Sequence, residues 1–343
     1  MALMTTPTLR FILSAWLMSS ALLSARPAWK NEYEMLQSLP PGLMPSLLVS
    51  EPDENGLVGY QKAQGQWYQA GMQRGGARHL LGGVLAGDVD RMERGWLSIE
   101  ATFARQREDG GFLVVRKPYD KAPLSFDQQV ETTFFYLQAL SHALLVLQES
   151  PYAGRFHDRI EALKPKIRRA ADFVMSGREG IVPAVGHTAN RLLIAAKALG
   201  LCGVLLDEQA YKAEARKLVA TALRLRDAEG VFVEKNGRDS SYNAVAILMG
   251  QVISLYLPDP RIDDAMRTAM VWQLTRITPD GEVLVKGNTR TGTGKELSRG
   301  KGDKKVNTRE VAVALLYHGL MYGNAEALRL GKAVAARRHR TEE

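Results

Sequence analysis

Cysteine is almost missing from this chain. Cys202 is the only one in 343 residues, which excludes an intrachain disulfide and any cysteine-based zinc cluster. No Asp-rich metal motif sits where it would serve chemistry, so no metal or other cofactor is expected. No strand-dominated block occurs, and no nucleic-acid reading motif is present. Acidic residues are outnumbered, 37 Asp and Glu against 45 Lys and Arg, for a formal charge of +8. That balance favours acidic partners: an anionic glycan, nucleic acid or a membrane surface. The apolar and charged fractions, 45% and 24%, are those of a globular chain. Its length is enough for a sizeable core.

The first 25 residues read as an export signal rather than as part of a fold. Arg10 precedes the apolar run Phe11 to Leu23, followed by Ser24-Ala25, a small-residue cleavage site. The run is short and serine-containing for a membrane span, so no stable insertion is expected after cleavage. The expected mature unit is residues 26–343, a single domain, periplasmic or secreted. Export also argues against nucleic acid as the partner.

Helical periodicity recurs along most of the remaining chain, and a weak internal repeat overlies it. An acidic residue before glycine marks four turns, at Glu108-Asp109-Gly110-Gly111-Phe112, Arg178-Glu179-Gly180-Ile181, Ala228-Glu229-Gly230-Val231-Phe232 and Pro279-Asp280-Gly281-Glu282-Val283. Each follows an amphipathic helix (89–105, 156–175, 208–226, 262–277). Each precedes a long polar loop and a more apolar helix (129–147, 188–205, 242–257, 308–321). The other connections are short. Arranged in a ring, such hairpins gather all long loops and all inner-helix N-termini on one face. The expected fold is all-α: an α/α toroid, incomplete or of six hairpins. An open helical solenoid has the same hairpin signature.

Those loops carry the candidate site residues. The first offers Arg116, Lys117, Tyr119 and Asp127. The second, Gly-His-Thr-Ala-Asn-Arg, offers His187, Asn190 and Arg191. The third runs from Asp227 to Asn243 with Glu234, Asp239, Tyr242 and Asn243. There Asp239 suits a helix N-cap, accepting orphaned backbone N–H groups, and Tyr242 falls in the first helical turn. The fourth, 285–309, contains Lys286, Asn288 and Arg290 before a run of lysines. Arg and Asn there suit carboxylate recognition, which Arg performs with a bidentate fork. Trp67 and Tyr68 are candidate sugar platforms. Trp96, Trp272, His142 and His318 fall in helical patterns and are expected in the core or inner wall.

A basic cleft holding Tyr, His, Asn and Arg suits β-elimination on a uronic-acid polysaccharide. That reaction needs a neutraliser for the carboxylate, a base for the C5 proton and an acid for the leaving oxygen. Asn190 and Arg290 are candidate neutralisers, His187 a base, and Tyr242 a base or acid.

Arg238-Asp239-Ser240-Ser241-Tyr242-Asn243 resembles the Asn-Asn-His-Ser-Tyr-Trp pattern of the toroid polysaccharide lyases, in their alginate lyase branch. The match falls on Ser241 and Tyr242. The following helix, the Asp280-Gly281 turn and Arg290 come in similar order. The resemblance implies a toroid that cleaves a polysaccharide by elimination. It departs at Ser240, where the family has histidine, and at Asp239, where it has asparagine. Alginate specificity is therefore not implied, and His187 would have to supply the imidazole. The Gln106-Arg-Glu-Asp-Gly-Gly-Phe112 turn also looks like that of terpene cyclases. Their protonating motif is lacking, and Asp263-Asp264 falls on an outer-helix pattern.

Two alternatives stand beside elimination. Asp239 with Glu234 or Asp127 would form an acid/base pair for inverting glycoside hydrolysis, at a carboxyl separation of roughly 6.5–9.5 Å. A non-catalytic exopolysaccharide-binding or export protein would keep the basic face without needing Tyr242.

Overall fold

A computed structural model describes residues 29–58, 68–115, 123–290 and 306–342. The described chain opens with two short helices, α1 (Glu32–Gln37) and α2 (Leu43–Leu47). Helical hairpins follow: α3 (Ala70–Ala86) with α4 (Val89–Phe103), and α5 (Phe126–Glu149) with α6 (Ala153–Ser176). After a single added helix, α7 (Arg178–Val185), comes α8 (Ala189–Leu205) with α9 (Gln209–Leu223). A small β-hairpin, β1 (Val233–Glu234) and β2 (Gly237–Arg238), leads to α10 (Ser240–Tyr256) with α11 (Pro260–Leu274). Last come α12 (Thr308–Tyr322) and α13 (Ala325–Glu342).

Composition sorts these helices into two layers. In α8, α10 and α12 almost every residue is apolar or small and almost every residue is buried. A helix without a polar face has to be covered on all sides. The inner helices accordingly pack in succession, α3 on α5, α5 on α8, α8 on α10 and α10 on α12. The outer helices α4, α6, α9 and α11 bury one stripe each, and each outer helix lies against its own inner partner. Between the two ends of this arc, α2 touches α3, α12 and α13, while α1 lies on α3 and α5. The fold is an α/α toroid, with five hairpins among the described residues and the α1–α2 segment wedged where the arc meets itself.

Three of the four expected acidic-Gly turns form, and they are copies of one device. Each bends back on itself through a backbone bridge: Gln106 to Phe112, Arg226 to Phe232 and Ile277 to Val283. Each places its glycine at positive φ (91° at Gly110, 79° at Gly230, 90° at Gly281), where a side chain is strained. Each glycine also lies against the outer helix of the next hairpin. A Cβ would come within 2.1 Å of the Arg169 carbonyl oxygen at Gly110 and within 2.4 Å of the Ala333 backbone at Gly281. The turns thus stitch each hairpin to its successor. The fourth expectation is corrected: Glu179-Gly180 lies inside α7, because the chain there continues as helix instead of turning.

Other side chains fall as their patterns imply, with two exceptions. Trp96 is buried against Phe156, their ring centroids 5.4 Å apart. His142 and His318 are buried, and Asp263-Asp264 lies on outer α11. Trp272 is not in the core but half-buried, beneath the Arg238 and Arg276 guanidinium groups. Tyr68 is not a platform. It is buried, under the Arg105 guanidinium.

Candidate functional site

The long connections, outer helix to inner helix, collect at the N-terminal ends of the inner helices and surround a cavity of about 280 Å³. Its walls are held by backbone hydrogen bonds between loops distant in sequence. Lys235 and Asn236 take positive φ (49° and 65°), the two-residue turn that suits the twist of a tight hairpin. This turn pushes β1 against the second loop. Lys235 N–H donates to the His187 carbonyl at 3.0 Å, and Glu234 bridges Thr188. Asn190 N–H, at the start of α8, donates to Glu234 Oε1 at 3.0 Å.

The fourth loop is pinned to β2 in the same way. Thr289 and Arg290 N–H both donate to the Arg238 carbonyl, at 2.9 and 3.2 Å. Gly237 permits this approach, since a Cβ there would lie 2.3 Å from Arg290 Cα. With its backbone fixed, Arg290 lays its guanidinium 4.4 Å from the Tyr242 ring centroid and donates from Nη1 to Asp239 Oδ2 at 3.2 Å. Asp239 Oδ1 meanwhile accepts Ser241 and Tyr242 N–H, both at 2.9 Å, as the N-cap of α10.

Two carboxyl groups therefore stand close together in opposite electrostatic settings. Asp239 is fully buried and holds a guanidinium and two helix-start N–H groups. Glu234 is 1% exposed. Burial pushes its carboxyl up to about 7, with Asp239 adding to the shift and the Asn190 amide, Arg290 and Arg191 opposing it. A carboxyl that exchanges protons near neutrality suits a working acid or base. The opposite wall is cationic. Arg78 pairs with Glu310 at 2.8 Å, and Arg74 also lines the cavity. Burial would raise the Glu310 carboxyl, but Arg78, Arg309 and Arg74 hold it below its usual range.

No family model matches this chain, and no curated protein matches it. Among solved structures, it is similar to a mutant unsaturated glucuronyl hydrolase from Streptococcus agalactiae, complexed with dGlcA-GalNAc6S. The TM-score is 0.52 at 10% identity, over 93% of this chain and 81% of that one. That likeness is one of fold. This chain is an α/α toroid.

The toroid brings together Tyr242, His187, Asn190, Arg191, Glu234 and Arg290, all lining the one cavity. Arg191 also pairs with Glu131 at 3.0 Å, and the buried Asn190 Oδ1 has no hydrogen-bond partner among the described residues. Three expected ligand contacts are corrected. Asn288 is fully buried and clamps the fourth loop onto α10, accepting Ser240 N–H and donating to Ser240 Oγ, both at 3.2 Å. Asn243 is fully buried, accepts Phe232 N–H at 3.1 Å and donates to Gln273 Oε1 at 3.0 Å. Lys286 is exposed and does not line the cavity. Asp127, exposed in the first turn of α5, does not line it either. Arg116, Lys117, Tyr119 and Trp67 lie outside the described residues.

Sequence reasoning missed Arg74, Arg78 and Glu310. The signal for the arginines was their spacing of four within a glycine-rich stretch, which puts both on one helical face. That stretch is inner helix α3. Its glycines replace side chains where neighbours press close: a Cβ at Gly76 would lie 1.9 Å from Ser98 Oγ, and one at Gly71 3.0 Å from Thr132 Oγ1.

Proposed function

We propose that the chain is an exported carbohydrate-active enzyme that cleaves an acidic saccharide, with Glu234 as its proton-transfer group. The observation that carries this reading is a buried carboxyl held near neutrality in a cavity whose other charged lining groups are mostly cationic. The neighbour's printed name, a hydrolase of unsaturated glucuronyl groups, supports hydrolysis over elimination. In that chemistry protonated Glu234 gives its proton to the leaving oxygen as the C–O bond breaks, and water adds at the sugar carbon. Arg290 and Arg191 meet the sugar carboxylate, and His187, exposed at the rim, receives the proton lost by water. Asp239 holds Arg290 and the start of α10 in place. It is a positioning residue rather than the second carboxylate of an inverting pair, because its oxygens are engaged.

One observation favours β-elimination as a second reading. Arg290 lies over the Tyr242 ring, so a phenol able to act as acid or base stands beside a cation that could meet a uronate carboxylate. Product analysis separates the two. The mature protein is offered acidic polysaccharides and unsaturated uronyl disaccharides, with reducing ends and enol-ether ultraviolet absorbance both followed. Hydrolysis gives reducing ends without new absorbance on polysaccharides, or erases absorbance on unsaturated disaccharides, and Glu234→Gln abolishes it. Elimination gives new absorbance that Tyr242→Phe abolishes. Absence of both products across the panel would defeat the enzyme reading in favour of a binding protein. N-terminal sequencing of the protein recovered from culture medium or periplasm tests export; an intact Met1 would refute it.

A further inference from the structure

Behind the cleft floor the inner helices enclose a second space of about 50 Å³. Arg78, Gln138, Met249 and Glu310 face both spaces and form the wall between them. Deeper in the ring stand His142 of α5 and Lys197 of α8. Lys197 is 3% exposed. Its ammonium donates to Gln138 Oε1 at 3.2 Å and to His142 Nδ1 at 3.1 Å. An ammonium can only donate, so His142 Nδ1 is the accepting nitrogen. Its Nε2–H then donates to Glu32 Oε1 at 2.7 Å. Tyr317 donates to the same oxygen. Glu32, on α1, is thus one residue removed from the chamber, with the imidazole in between.

The chamber wall itself holds more donors than acceptors. Lys197, Arg78 and Arg309 face it together with a single carboxylate, Glu310. An ammonium has three N–H groups and a guanidinium five. Lys197 uses two, and no third acceptor is found among the described residues. Arg78 places one hydrogen bond among the described residues, on Glu310 Oε1. Arg309 Nε is buried without a hydrogen bond among the described residues, 3.6 Å from Glu310 Oε2. A buried ammonium short of an acceptor is costly, and the two arginines beside it are half-buried. With the chamber lined as it is, burial brings the Lys197 ammonium down to about 7 and the Arg78 guanidinium down to about 9. An acceptor carrying negative charge would reverse both shifts. The space exceeds the ~10–15 Å³ that one water needs, yet it is far smaller than the cleft and has no room for a sugar ring.

We propose that this inner chamber is a second ligand site, taking one small oxyanion (a carboxylate, sulfate or phosphate group) between Lys197, Arg78 and Arg309. The group has two possible sources: a free ion, or an acidic arm reaching through the shared wall from a saccharide in the cleft. The site does not depend on the catalytic reading, and its test reads binding alone. Calorimetric titration of the folded full chain with inorganic phosphate, sulfate and acetate, at fixed ionic strength, should give saturable one-site binding. Loss of a charged hydrogen bond in Lys197→Met should weaken it by about ten- to a hundredfold. Leu248→Phe narrows the chamber without changing its charge and should weaken binding as well; it serves if Lys197→Met fails to fold. Glucuronate competing with phosphate would identify the arm of a cleft-bound sugar, and lack of competition a free ion. Both results support the site. No saturable binding to the wild type, or undiminished affinity in the folded variants, would overturn it.

Discussion

Replacing Glu234 by Gln tests the electrostatics of the candidate site without requiring a substrate. Gln matches protonated Glu in shape and keeps an oxygen for the Asn190 N–H, but it cannot ionise. The wild-type carboxyl moves from its ordinary 4.5 to about 7 on folding, chiefly because burial disfavours the anion. The sign follows from linkage. A carboxyl whose folded value is raised binds more proton in the folded state, so its contribution to stability is fullest below about 4.5. That contribution is lost as pH climbs through about 7. The difference between the two values corresponds to about 3 kcal/mol. The Gln protein has no such group, and every other titration is common to both chains. Urea denaturation at about pH 4.5, 6 and 8 should therefore show the stability of Glu234→Gln, relative to wild type, rising by about 2–3 kcal/mol across that range. A relative stability that is constant with pH, or that falls as pH rises, would mean that folding does not raise the Glu234 carboxyl. The proton-transfer role would fall with it.

Two further substitutions test how the loops are held. Gly237→Ala puts a Cβ 2.3 Å from Arg290 Cα and 2.4 Å from its nitrogen, backbone atoms that cannot swing away, so a loss of about 1–3 kcal/mol is expected. Thermal denaturation measures it, and a neutral result would show that the fourth loop does not rest on β2. Asn288→Ala strips the buried Ser240 N–H of its acceptor and should cost about 1–3 kcal/mol. An unchanged midpoint with weakened saccharide binding would return Asn288 to the role of a ligand contact.

The hairpin ring was legible in the sequence because both of its devices are local. Helical periodicity separates inner from outer helices, and the three glycine turns share one internal spacing. The turn at Gly180 misled because an acidic residue before glycine is compatible with a helix when the neighbours continue the helical pattern, as Arg178–Val185 does. Convergence of Tyr242, His187, Asn190 and Arg290 followed from topology alone, since every long loop opens on the same face. What stayed hidden was tertiary. Asn243 and Asn288 looked like ligand contacts because nothing local shows that Phe232 N–H and Ser240 N–H need acceptors. Glu32 pairs with residues 110 and 285 positions away, so no window of sequence joins them.

The Glu234 carboxyl makes the same point for chemistry. Its raised proton affinity comes from burial under a bridge between the third and second loops, a contact made by main chain. Arg290 is likewise placed by two amides on the Arg238 carbonyl. Main-chain hydrogen bonds and close glycine approaches set the frame of this site, while side-chain identity sets what it can do. A ring built that way can keep its fold at 10% identity to another toroid while its reacting groups differ. The reaction must therefore be read from Glu234, Tyr242 and the cations around them rather than from the likeness of the ring.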